Sequence, residues 1–187
     1  MAIALFIDPN YLKSVSIIDE NVDDKLINIC IKEAQDIRIH RILGSDLYNK
    51  YVTDINTSGS AGVTGVYKTL MDSYIINAVT YWTLYEISLW LVWKYRNKSI
   101  STQSSDNSQP AGLDVVQTLR DEHKDKAEWY SERLTRYLQE HSSTYPEYEA
   151  NTDGDDIQPD RDNYDVAIYT GNTGGACMNR PENRFDQ

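Results

Sequence analysis

From Tyr74 to Trp93 the chain runs for twenty residues with a single charge, Glu86, and with neither glycine nor proline. A segment so apolar must bury most of its circumference, and its length and composition predict a helix. About twenty apolar residues also suffice to span a bilayer. Here Asn77, Thr80, Thr83, Glu86 and Ser88 interrupt the run, and no second segment of this character flanks it. The reading that follows is a central helix from about Val66 to Arg96, buried on most sides by the rest of the chain. Tyr74, Tyr81 and Tyr85 are expected in its packing.

Helical periodicity recurs on either side. Between Asp23 and Leu43 the positions Leu26, Ile27, Cys30, Ile31, Ala34, Ile37, Ile42 and Leu43 form an apolar stripe. Lys25, Asn28, Lys32, Gln35 and Asp36 form the wet face. Asn21 is the predicted N-cap, and Gly44 the left-handed residue that ends the helix. Ser45 is expected to cap a short helix, from Asp46 to about Ile55. A last helix opens at Asp114 with Gln117 as a capping box and runs to about His141. Its face reads Val116, Leu119, His123, Ala127, Tyr130, Leu134, Tyr137 and His141. Glu122–Lys126 and Glu132–Arg136 are i,i+4 ion pairs in the favourable order. Residues 56–65 and 97–112 read as flexible loops by composition. The expected fold is mainly α, a small bundle of three long helices and one short helix spanning residues 1–145.

Residues 146–187 differ in kind. They hold ten acids against three bases, so most of the net charge of −11 lies there. Helical periodicity stops after Tyr145–Pro146, and an extended arm is predicted. The arm keeps scattered apolar and aromatic residues without a core of their own. Tyrosine joins large contact area to a polar tip and is enriched at protein interfaces. Tyr145, Tyr148, Ile157, Tyr164, Val166, Ile168, Tyr169, Met178, Arg180, Arg184 and Phe185 are therefore the candidate partner-binding residues. YDVAIYT (164–170) alternates as one strand, which could add to a neighbour's sheet edge.

Catalytic and metal chemistry find little support. Cys30 and Cys177 belong to no CxxC pair, and a reducing compartment is the plainer setting. His40, His123 and His141 form no HExxH or close ligand set. DGDD (153–156) fails the EF-hand pattern, and GNTGG (171–175) lacks the Lys-Ser/Thr of a phosphate loop. No cofactor is expected. An acidic chain lacks the lysine and arginine footprint of phosphate-backbone binding. The N-terminus has no basic region and no cleavage pattern, so no secretory signal is read.

The order FIDPNYLK, SIIDENVDDKLINICIKEAQ, ILGSDLY at 42–48, an aromatic-rich helix, WYSERL at 129–134 and YPEY at 145–148 resembles a known family. It is similar to the head–tail connector (adaptor, or head-completion) proteins of tailed bacteriophages, most of all the ring proteins of crAss-like phages. The resemblance covers about residues 3–148. It implies a non-enzymatic virion protein that forms a homo-oligomeric ring, a dodecamer to match the portal. Such a ring contacts the portal protein and tail or second ring proteins, and genomic DNA passes through it without specific binding. Virion localisation, with assembly in the host cytoplasm, follows from the same resemblance. Two other functions attach to particular features: a membrane-associated protein spanning with residues 74–93, and a soluble enzyme using a carboxylate site.

Overall fold

The computed structural model describes residues 4–96, 99–102, 112–150 and 157–160. These residues form a mainly helical bundle. Helix α1 (Pro9–Val15) leads to α2 (Asp24–Ala34), which continues through a π turn (Gln35–Ile39) into α3 (His40–Leu43). Helix α4 (Ser45–Ser58) follows. A second rod comprises α5 (Gly65–Leu70), a π turn (Met71–Ile75) and α6 (Ile76–Val92). Strands β1 (Trp93–Arg96) and β2 (Ser99–Thr102) form an antiparallel pair. Helix α7 (Leu113–Glu140) and the short α8 (Pro146–Ala150) complete the elements. The three long rods and the short fourth helix match the periodicity; α1 and α8 are additional.

Helix α6 is the hub on which α2 and α7 both pack. Its buried positions include Ala78, Val79, Thr80, Trp82, Thr83 and Leu84, which lie on all sides of the helix. The polar interruptions are satisfied inside it. Thr80, Thr83 and Ser88 donate to carbonyls four residues earlier at 2.6–2.7 Å, so their hydroxyls enter the core without an unpaired donor. Among the described residues no helix is long and apolar enough to cross a membrane. The run that suggested a span over residues 74–93 instead packs against this chain's own α2 and α7.

The two π turns explain where the stripe prediction fails. Ile27, Ile31, Gln35, Ile39 and Leu43 are all fully buried, each four residues from the last. An α-helix turns 100° per residue, so such a column would wind about 160° round the rod and leave the core. A π turn holds more residues per turn and takes up the drift. The register shift brings Gln35 inside, although it was read as part of the wet face. It also swings Ile37, read as apolar stripe, outward to 59% exposure. The same device keeps Met71, Ile75, Val79, Thr83 and Ile87 buried in the second rod.

Gln35 repairs its burial by serving as a surrogate backbone. Its Oε1 accepts from the Phe6 amide at 3.1 Å, and its Nε2 donates to the Ala4 carbonyl at 2.9 Å and the Tyr48 hydroxyl at 3.2 Å. The N-terminal segment is thereby pinned to the first rod, and Phe6 packs on Tyr48 and Tyr51.

Four local expectations need correction. The N-cap of α2 is Asp23, whose carboxylate accepts from the Lys25 amide, not Asn21. Ser45 begins α4 without capping it, because its hydroxyl is engaged by the His40 ring and the Ile157 amide. Gly112, not Asp114, caps α7, and Gln117 bonds Asp121 instead of closing a capping box. The loop expected at 56–65 is largely helical: α4 reaches Ser58 and a 3₁₀ turn spans Gly59–Gly62. That turn folds so tightly that a Cβ on Gly62 would meet the Asp54 carbonyl oxygen at 2.4 Å.

The central helix also ends earlier than expected, at Val92. Trp93–Arg96 turns into a strand that pairs with Ser99–Thr102, inside the segment read as a linker. Aromatic Trp93 and Tyr95 suit a strand better than the last turn of a helix. Gly44 ends the first rod as expected, at φ 74°.

Replacing Gln35 by leucine keeps the volume and removes the amide. The Phe6 N–H and the Ala4 carbonyl then lose their partner in the interior, at about 1–3 kcal/mol each. Urea denaturation of Gln35→Leu is expected to show a loss of about 2–6 kcal/mol. A loss below about 0.5 kcal/mol, within the range of an ordinary surface change, would mean that the amide does not hold the N-terminus.

Candidate functional site

The π turn at Gln35–Ile39 aims Arg38 across the first rod towards α6. Its guanidinium carbon lies 4.3 Å from the centre of the Trp82 ring and 6.0 Å from that of Tyr85. Its Nη2 is 3.9 Å from Glu86. Burial raises the Glu86 carboxyl above its ordinary range, while Arg38 and Arg120 oppose that rise. Trp82 donates its indole N–H to Ser131 of α7 at 2.9 Å. Around these residues runs a groove of about 570 Å³, lined by Ile37, Arg38, Arg41, Ile42, Trp82, Lys124, Glu128, Ser131, Glu132 and Asp160. The volume lies within the range of ligand pockets. Its lining joins the apolar Ile37, Ile42 and Trp82 to three cations and three acids. Arg41 pairs with Asp160 at 3.1 Å, and Lys124 with Glu128 at 3.4 Å. This lining suits an amphipathic, mixed-charge segment of polypeptide. Among the described residues no group of histidine, cysteine and acidic side chains could hold a metal ion.

The first candidate partner-binding residues belong to this chain's own packing. Tyr145 is fully buried, with its ring centre 5.6 Å from that of Tyr67 and 6.3 Å from that of Tyr137, and its hydroxyl donates to the Val66 carbonyl at 3.3 Å. Tyr148 is buried on α8, which packs on α4. Reading these two as partner contacts is thus corrected: α8 and the turn before it close the bundle. Ile157 lies at its surface, but its backbone is anchored. The Ser45 amide donates to the Ile157 carbonyl at 3.1 Å, and the Ile157 amide to the Ser45 hydroxyl at 3.0 Å. The packed fold therefore reaches beyond the expected boundary at residue 145. Tyr164, Val166, Ile168, Tyr169, Met178, Arg180, Arg184 and Phe185 lie outside the described residues, as do the DGDD and GNTGG segments.

Two sets of apolar side chains stand on the surface. One set comprises Leu91 at the end of α6 and Leu113, Val115 and Leu119 at the start of α7, with Leu113 and Val115 more than half exposed. Helices α6 and α7 run antiparallel, as the stacked pairs Tyr81–Tyr130 and Tyr74–Tyr137 require, so these four residues share one end of the bundle. The other set comprises Tyr11, Val15 and Ile17, on and just after α1. Sequence reasoning placed Leu119 in the core and did not find the groove. The groove depends on the shifted register of the π turn, which no pattern of residue types announces.

The described residues thus form a helical bundle with a groove and exposed apolar side chains, and the return at Ile157–Asp160 is hydrogen-bonded onto that bundle. The model of a family of unknown function, DUF6712, matches residues 39–157, and the chain belongs to that family. No curated protein and no solved structure matches it.

The buried phenols and the thiol set an alkaline limit on this assembly. Burial first, then the hydrogen bond to Glu147, pushes the Tyr67 phenol up to about 12. Burial, with Glu33 and Glu86 adding, pushes the Cys30 thiol up to about 12. Tyr48, Tyr51 and Tyr145 are raised as well, in each case chiefly by burial. Each group keeps its proton in the fold above the pH at which the unfolded chain releases it. Their contribution is complete below about pH 9 and is lost as pH rises towards about 12. The melting temperature is expected to fall across that window, with tyrosinate absorbance and loss of helical circular dichroism appearing together. Tyrosine ionisation complete near pH 10 with helicity intact would contradict this.

Proposed function

We propose that this protein is a structural ring subunit of a tailed-bacteriophage virion, seated between portal and tail. The ring extends the DNA channel and docks tail components. The observation that carries this reading is the two sets of exposed apolar side chains, Leu91, Leu113, Val115 and Leu119 at one end of α6 and α7, and Tyr11, Val15 and Ile17 on and after α1, on different elements of one subunit. A ring closes through heterologous contacts, in which each subunit offers two unlike surfaces to its two neighbours. The sequence resemblance over residues 3–148 supports the same reading. Its best segment, ILGSDLY, makes the sharp α3–α4 corner at Gly44. Among the described residues the β1–β2 pair has no third strand, and a neighbouring strand could join it beyond the end of α6. A net charge of −11 suits a channel wall that DNA passes without sticking. Twelve copies and contact with a portal protein are parts of this proposal.

Light scattering and electron microscopy of the purified chain, alone and mixed with the virion's portal protein, test it. Rings, or a stable complex with the portal, are expected. The double variant Val115→Asp, Leu119→Asp changes exposed positions, which ordinarily shift stability by no more than about 0.5 kcal/mol each. It is expected to keep its circular dichroism and to weaken assembly by about tenfold or more, or about 1.4 kcal/mol. A chain that stays monomeric at every concentration and ignores the portal would overturn the proposal.

A further inference from the structure

The groove lined by Ile37, Arg41, Trp82 and Lys124 is unoccupied by any described residue, yet the chain itself arrives at it. After α8 the backbone returns at Ile157, held to Ser45 through two hydrogen bonds. Pro159 is buried, and the Asp160 amide donates to the Arg41 carbonyl at 2.9 Å while its carboxylate pairs with the Arg41 guanidinium. Asp160, the last described residue, lines the groove. We propose that this groove is the seat of the chain's own residues 161–170, RDNYDVAIYT, folded back in the same molecule.

Three physical points support that occupant. Ten residues in extended form reach up to about 33 Å, more than enough to cross a cavity of this size. The segment matches the lining in kind: Tyr164, Val166 and Ile168 fall on alternate positions, with Asp165 and Ala167 between them, which suits the apolar lining residues Ile37, Ile42 and Trp82. Arg161, Asp162 and Asp165 supply both signs of charge to a lining that carries both. Finally, the tether at Asp160 makes the contact intramolecular, at an effective concentration of order mM for a short linker. A weak interaction then suffices, and the segment outcompetes a free peptide or a neighbour's copy in dilute solution. Ring formation is not required, so this inference stands or falls separately from the proposed function.

Hydrogen exchange on the full-length protein tests it, with a synthetic peptide of residues 161–170 as reference. In the intact chain, amides of residues 164–170 are expected to exchange about tenfold slower than in the peptide, unchanged on dilution. Ile37→Asp places a charge on the groove wall at an exposed position, and Lys124→Glu alters its lining. Either is expected to return those amides towards the peptide rate while amides of α6 stay protected. Exchange at the peptide rate in the unmodified protein overturns the inference. So does protection that survives both substitutions, which would seat the segment elsewhere. Protection that fades on dilution also overturns it, because the occupant would then be a second copy's segment.

Discussion

The fold depends on keeping two columns of side chains, Ile27–Leu43 and Met71–Ile87, against one core over four successive steps of four residues. A regular helix cannot do this without rolling its apolar face into water. The π turns at Gln35–Ile39 and Met71–Ile75 let each rod hold its face to the core along its length. Their cost is a displaced register, and the molecule uses it. Gln35 moves inside, where its amide fastens the N-terminal segment. Ile37 moves outside, and Arg38 comes to rest across Trp82, where one wall of the groove is built.

Aromatic packing then joins the second rod to the third long helix. Tyr81 stacks on Tyr130 and Tyr74 on Tyr137, with ring centres 5.1 and 4.1 Å apart. Tyr51, Tyr67 and Tyr145 continue the contacts towards α8. Several hydroxyls reach backbone carbonyls or Glu147, so the rings bury area without stranding their polar tips. Arginines lie on the ring faces: Arg120 over Tyr85 and Arg133 over Tyr74. This explains how a chain with fourteen tyrosines can place many of them at the edge of its core. Their polar end stays paired while their face packs.

Much of the bundle was legible in advance. The long helices, the stop at Gly44 and the ion pairs Glu122–Lys126 and Glu132–Arg136 follow from residue spacing. Helix α1 was not among the expected helices: periodicity over so short a helix is too brief to register, although Asp8 and Pro9 serve as its N-cap and first residue. The site was far less legible. Tyr145 and Tyr148 looked exposed because helical periodicity ends beside them. Their burial comes from α4 and α5, some eighty to a hundred residues earlier in the chain, which local patterning cannot sense.

By itself, then, the sequence determined a helical bundle organised about a run too apolar to face water, an acid-rich C-terminal stretch, and the absence of any recognisable catalytic spacing. These are properties of neighbouring residues and their periods. The tertiary structure alone decided which turns widen, which polar side chain enters the core, and that residues 145–150 and 157–160 close upon the body that precedes them. Those outcomes rest on contacts between distant segments. There the gain from burial outweighs the local preference of a glutamine for water or of an isoleucine for the interior.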